Sequence, residues 1–238
     1  HLDLDMRNAL HLLPEVMPLL FKNKSHLTSL SIRLFGDSGA VELSKWIHLN
    51  PNLKRLDLRE NRIGSDGIRA IASAIKRCQL KLEHLDLSCN CIVDVDSLQE
   101  LLEATTTLES LDLSFNWIGN AEVKALCRGL KENKSLRRLN LFGCQRIDQT
   151  GLSELLTCLV DHNTSLLEIE VQAYDEASTT LRSALLHWQA LNRAGRCLLR
   201  LGSATQSPLW PLFLAKSSND PTTLFHILRQ GGPLLFHR

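Results

Sequence analysis

Nothing in this 238-residue sequence approaches the run of about eighteen apolar residues that a membrane span requires. Neither charge is in excess, since 27 basic against 26 acidic side chains leave a formal +1. That balance argues against a bulk polyanion as partner and against a nucleic-acid footprint, in which Lys and Arg cluster on one face. The signatures of common catalysts are missing too: there is no GxxxxGK[ST], GxSxG or HExxH and no pair of spaced CxxC motifs. Cysteine is present but odd in number, at seven, and Cys89-x-Cys91 is the one close pair. A chain of this length with an unpaired cysteine is expected to keep its thiols reduced, in an intracellular home that is cytoplasmic or nuclear. His84, Cys89 and Cys91 straddle a strand and its bend without an apparent fourth ligand, so they read as edge thiols rather than zinc ligands. The expectations are therefore no enzyme activity, no cofactor, no metal and no membrane.

What the chain does have is a repeated phrase. LKRLDLREN from Leu53, LEHLDLSCN from Leu82, LESLDLSFN from Leu108 and LRRLNLFGC from Leu136 are close copies, and LTSLSIRLF from Leu27 and LLEIEVQAY from Leu166 are weaker ones. Successive starts fall 26, 29, 26, 28 and 30 residues apart. A near-constant period of this size means stacked supersecondary units. Leu2 lies 28 residues before Leu30, the matching position of the next copy. Residue 1 is accordingly expected to stand within a strand and the chain to begin inside a repeat.

Between the phrases the period changes. Ile68, Ile71, Ala72 and Ile75 follow Asn61; Val123, Leu126, Cys127 and Leu130 follow Asn116; Leu152, Leu155, Leu156 and Leu159 follow Cys144. That spacing predicts helices, with Ser65-Asp66-Gly67 and Asp148 placed to cap their amides. Each unit is one short strand plus one helix. The leucines fill the space between the two, and the asparagine turns inward to bond the backbone of the bend, where an unpaired buried peptide group costs roughly 1 to 3 kcal/mol. Asn61, Asn90 and Asn116 read as structural for this reason, and Cys144 takes the same place as a small buried thiol.

With LxxLxLxx(N/C) and a helix in each unit, residues 1–175 resemble a leucine-rich repeat protein of the ribonuclease-inhibitor-like type. The resemblance implies an α/β solenoid, a right-handed horseshoe arc of about six to seven repeats with a parallel sheet on the concave face and helices outside. Strands pack about 4.8 Å apart and helices about 10 Å apart, so such a stack bends. A terminal repeat leaves its core open, and residues 176–238 are expected to close it as a helical cap. LRSALLHWQALNRAGRCLLRL reads as a helix interrupted near Gly195, and Ser207-Pro208 and Asp220-Pro221 as the starts of two more. In LNRAGR and in the later WPLFL and LFHILRQG runs this tail resembles endings of leucine-rich repeat proteins of some unicellular algae. Trp188, Trp210 and Phe225 would fill its core or, in a sharper reading, dock a second partner.

Function is read from the strand positions that alternate outward from the leucines. They carry Arg55, Asp57 and Arg59; His84 and Asp86; Asp112; Arg138 and Phe142, with Trp117 at the rim. Asp3, Asp57, Asp86, Asp112 and Glu170 share one register, an acidic column with arginines beside it. Such a face suits a basic or mixed-charge protein surface, with Trp117 and Phe142 as anchors, while the plainer reading lets Asp suit the sheet and Trp117 serve as partial core. The resemblance implies a non-catalytic module, a monomer that binds a protein partner. Two alternatives stay open: a direct enzyme regulator, like ribonuclease inhibitors or the leucine-rich activators of the Ran GTPase, and the ligand-sensing end of a larger immune-type receptor. Asn23-Lys-Ser, Asn133-Lys-Ser and Asn163-Thr-Ser match the glycosylation sequon but sit before strands, where turn chemistry explains them.

Overall fold

The computed structural model describes residues 1–5, 13–22, 27–34 and 36–193. Seven short strands alternate with helices along the chain: β1 (Leu2–Asp5), β2 (Ser29–Arg33), β3 (Arg55–Asp57), β4 (His84–Asp86), β5 (Ser110–Asp112), β6 (Arg138–Asn140) and β7 (Glu168–Glu170). All seven are parallel and pair in strict chain order. Between them run α1 (Leu13–Lys22), α2 (Gly36–Trp46), α3 (Ser65–Cys78), α4 (Val95–Ala104), α5 (Asn120–Glu132) and α6 (Gln149–Asp161), and α7 (Glu176–Arg193) follows the last strand. Consecutive parallel strands linked by helices on one side form a single-layered solenoid, with the sheet inside the arc. The expected α/β architecture is borne out, and Leu2 opposite Leu30 puts β1 in the register anticipated for it.

One line of apolar side chains runs through the sheet. Leu30, Leu56, Leu85, Leu111, Leu139 and Ile169 stand opposite one another strand by strand, and all are buried. Their heptad-like partners on the helices close the layer: Ile68, Ile71 and Ile75 on α3, Leu126 and Leu130 on α5, Leu155 and Leu159 on α6. Each buried Leu or Ile contributes about 1.5 to 3 kcal/mol of apolar burial. That burial exists only because a neighbouring repeat covers the open side of each unit.

One helix start differs from the sequence reading. Asp148 caps α6 through Thr150 N at 2.7 Å, but α3 begins after Gly64 and has no cap from its own side chains. Its first amides are instead satisfied from the preceding repeat, where Asp37 Oδ1 accepts from Gly64 N at 2.7 Å and from Gly67 N at 3.0 Å. Asn120 does the same for α6, accepting from Asp148 N and Gly151 N, each at 3.1 Å. Gly67 and Gly151 are required by this arrangement, since a Cβ on either would stand 2.6 Å from the capping oxygen.

At the other end of the strands Asn133 and Asn163 are buried. Asn163 Nδ2 donates to Leu130 O and Asn133 O, and Asn133 Nδ2 donates to Leu102 O and Thr105 O. Their Oδ1 atoms accept from the amides that begin the next strands, Leu136 N at 2.9 Å and Leu166 N at 2.8 Å. An amide so enclosed is no glycan acceptor in the folded chain. Asn23 lies outside the described residues. Asn192 on α7 adds one more rung, donating to Leu166 O at 2.7 Å. Helix α7 packs on α6 and β7 and so extends the helical layer past the last strand. The expected break near Gly195 and the two helices at Ser207-Pro208 and Asp220-Pro221 lie outside the described residues, as do Trp210 and Phe225.

Candidate functional site: the outward face of the sheet and its rim

The bend after each strand sets where the outward side chains stand. Asn90 is buried there; its Nδ2 donates to Leu58 O and Leu87 O, both at 2.9 Å, and its Oδ1 accepts from Asn61 N and Ile63 N. Asn61 donates to Ile32 O and Arg59 O and accepts from Leu34 N. Asn116 donates to Leu87 O and Leu113 O and accepts from Ile92 N. Cys144 sits in the same row, its Sγ 3.4 Å from Leu113 O, and burial pushes its thiol up to about 11. The row ties each bend to the previous repeat, so the residues just before it are held at a constant spacing.

Two columns face outward. One runs Ser29, Arg55, His84, Ser110, Arg138, Glu168, and the other Ser31, Asp57, Asp86, Asp112, Asn140, Glu170, with Asp3 opposite Ser31. In the second column Asp57, Asp86 and Asp112 each serve the turn that follows. Asp86 Oδ1 accepts from Ser88 N at 2.9 Å and Ser88 Oγ at 2.6 Å. Asp112 Oδ1 accepts the same pair from Ser114, and its Oδ2 accepts from Asn140 Nδ2 at 3.0 Å. Asn140, uncharged, makes the equivalent bond to Phe142 N. Asp57 binds Arg59 through both backbone and guanidinium, its Oδ2 accepting from Arg59 Nη2 at 2.8 Å. Burial alone would raise the Asp57 carboxyl, but the Arg59 hydrogen bonds outweigh it and hold the group below the ordinary carboxylate range.

The first column is less committed. Among the described residues no ion pair holds Arg55 or Arg138, and His84 stands between them in register. Burial, then the charges of Arg55 and Arg138, keep His84 below its ordinary imidazole range, so it is neutral at pH 7. His84, Arg55, Asp57, Asp86 and Asp112 line a shallow depression of ≈ 420 Å³ on this face.

The rim at the C-terminal ends of β5 and β6 is aromatic. Trp117 is 60 % exposed and Phe142 44 %, so Trp117 is not part of the core. Sequence reasoning passed over Phe115, which is 55 % exposed and meets Phe142 edge to face at 5.7 Å between ring centroids. Its neighbours in sequence carry no hint of this, because the matching position holds Glu60, Cys89 and Gly143 in other repeats. Cys89 and Cys91 are exposed free thiols. Among the described residues no group of three or more His, Cys, Asp or Glu is placed to hold a metal, and no helix is long and apolar enough to cross a membrane.

The Leucine Rich repeat family matches residues 49–72, 79–96, 105–127 and 132–156. NACHT, LRR and PYD domains-containing protein 14 of Mus musculus is 37 % identical over 184 residues, 75 % of this chain and 18 % of that protein. Ribonuclease inhibitor of Mus musculus is 30 % identical over 151 residues, 60 % of this chain and 32 % of its own length. Among solved structures, Leiomodin-1 Actin-Binding Site 2 aligns at 18 % identity over 78 % of this chain and 94 % of that chain, with a TM-score of 0.47. The chain spans less than a third of the length of either of these curated relatives.

Proposed function

This chain is a leucine-rich repeat protein of the ribonuclease-inhibitor-like type, and from that premise we propose that it binds a protein partner on the concave face of its sheet and performs no chemistry itself. The observation that carries the reading is the contrast between the two sides of the sheet. The inner side is a sealed apolar layer, whereas the outer side presents Arg55, His84 and Arg138 beside Asp57, Asp86 and Asp112, with Trp117 and Phe142 exposed at its rim. Large aromatics with arginine nearby are the residues that dominate protein interfaces. We place the protein in the cytoplasm as a monomer.

The test uses substitutions that the repeats already tolerate. Ser29 and Ser110 occupy the Arg55 column, so Arg55→Ser, His84→Ser and Arg138→Ser keep the sheet. Asp57→Asn, Asp86→Asn and Asp112→Asn keep the turn acceptor, as Asn140 does, and remove the charge. Immobilised native chain should capture a partner that the six-fold variant loses; equal capture by both places the interface elsewhere on the molecule.

A second reading is favoured by one observation, the 37 % identity to a protein whose name joins LRR to NACHT and PYD domains. On that reading the face is the ligand-sensing end of a larger receptor. The sequence of the whole gene product decides between the two, through the presence or absence of a nucleotide-binding module.

A further inference from the structure

Beside the two columns, the rim after β5 and β6 holds a slot of ≈ 290 Å³ lined by Phe115, Asn116, Trp117, Gly143, Gln145 and Arg146. Its construction spans two repeats. Phe115 lies in the left-handed region at φ 54°, a conformation that bulky side chains rarely adopt, and it leans across to the next repeat. Gly143 receives it there: a Cβ on Gly143 would stand 2.6 Å from the Phe115 ring. Phe142 supports the ring from its edge. The result is a floor of aromatic carbon that stays in water.

A single charge lines this floor, and the nearby Glu122 carboxylate is already used, its Oε2 accepting from Gly119 N at 2.8 Å. Arg146 is exposed, is the one charged residue lining the slot, and makes no ion pair among the described residues. Arg138, one column inward, makes none either. Asp112, the acid of the column on β5, is already engaged by Ser114 and Asn140. A bound segment therefore meets apolar rings and an unpaired guanidinium, and a guanidinium favours a carboxylate bidentately.

We infer that the Phe115–Trp117–Arg146 slot takes an apolar side chain of a protein partner that carries an Asp or Glu next to it. This rests on reading the molecule as a protein-binding module and names the chemistry of the segment bound at its rim. It also separates the rim from the acidic column, whose carboxylates are spent largely on the fold.

An array of short synthetic peptides tests it, each with one central Leu or Phe flanked by Asp/Glu, by Ser or by Lys, and a matching set with Gly at the centre, probed with the full chain. Acid-flanked apolar peptides should bind about three- to fivefold better than Lys-flanked ones, the size expected of a part-exposed ion pair. The Gly set should not bind, and Trp117→Ser should lower binding at least about tenfold. Arg146→Glu should invert the flank preference toward Lys, a gain that a misfolded chain cannot show. Equal binding of the three flanks, or no Trp117-dependent binding anywhere on the array, overturns the proposal. So does Trp117-dependent self-association in sedimentation, which would make a second copy the occupant. Partner capture that still depends on Arg55, His84 and Arg138 would then leave the concave-face reading standing without the slot.

Discussion

At the scale of single residues, the bends of this protein rest on amides used at both ends. Removing the Asn90 side chain leaves Leu58 O, Leu87 O, Asn61 N and Ile63 N without it. At about 1 kcal/mol for each bond and more for a group left buried and unpaired, Asn90→Ala is expected to lower stability by about 3 kcal/mol in urea unfolding. The outward face adds a dependence on pH. His84 and Asp57 both titrate lower in the fold than in the open chain, so the unfolded state holds more protons as the medium is acidified. Their contribution is present above the ordinary values, near 6.5 for His84 and 3.8 for Asp57, and is lost as pH falls through the folded ones. The urea midpoint should therefore drop between pH 7 and pH 5, and His84→Gln should flatten that slope. The bend residues are legible in the sequence because they end the four close copies of the phrase. Phe115 is not, because a side chain's exposure depends on the glycine it meets 28 residues later, and a single phrase does not contain its neighbour. The acids were legible as a column, but charge alone does not tell that Oδ1 closes a turn; Asn140, making the same bond without charge, separates the two roles.

At the scale of elements, helix starts are shared property. Strand and helix types could be read from alternation and 3.6-residue spacing, since those patterns are set by the apolar layer each element covers. The Asp148 cap of α6 could be read as well, but the cap of α3 could not, because Asp37 and Gly64 lie 27 residues apart and cap chemistry read from one helix looks only at adjacent residues. Gly67→Ala brings a Cβ to 2.6 Å from Asp37 Oδ1 and 2.7 Å from Ile63, and overpacking of this kind costs about 1 to 3 kcal/mol. Asp37→Ala alone removes the cap at about 1 kcal/mol. The two losses should fall short of additive in a double-mutant cycle, because the first substitution already displaces the oxygen that the second deletes. Helix α7 obeys the same logic of borrowed bonds, through Gln189 Nε2 to Ile169 O and Asn192 Nδ2 to Leu166 O.

At the scale of the whole molecule, stability is a chain of neighbour contacts. Leu111 stands in the middle of that chain, opposite Leu85 and Leu139, and it is fully enclosed. Leu111→Asp should cost about 4 kcal/mol or more and split unfolding into two steps, seen as loss of hydrogen-exchange protection in β4 to β6 before the remainder. Repeat length, by contrast, is loosely held: α3 has 14 residues and α4 has 10, yet the strands before them stay in register. The rows of asparagine bonds count from the phrase and ignore the length of what lies outside the arc. Inheritance should respect that division. Across variants of this gene, gained or lost codons should accumulate where helices hand over to the next strand, around residues 78–81 and 104–107. The nine positions from each first leucine to its asparagine should record almost none.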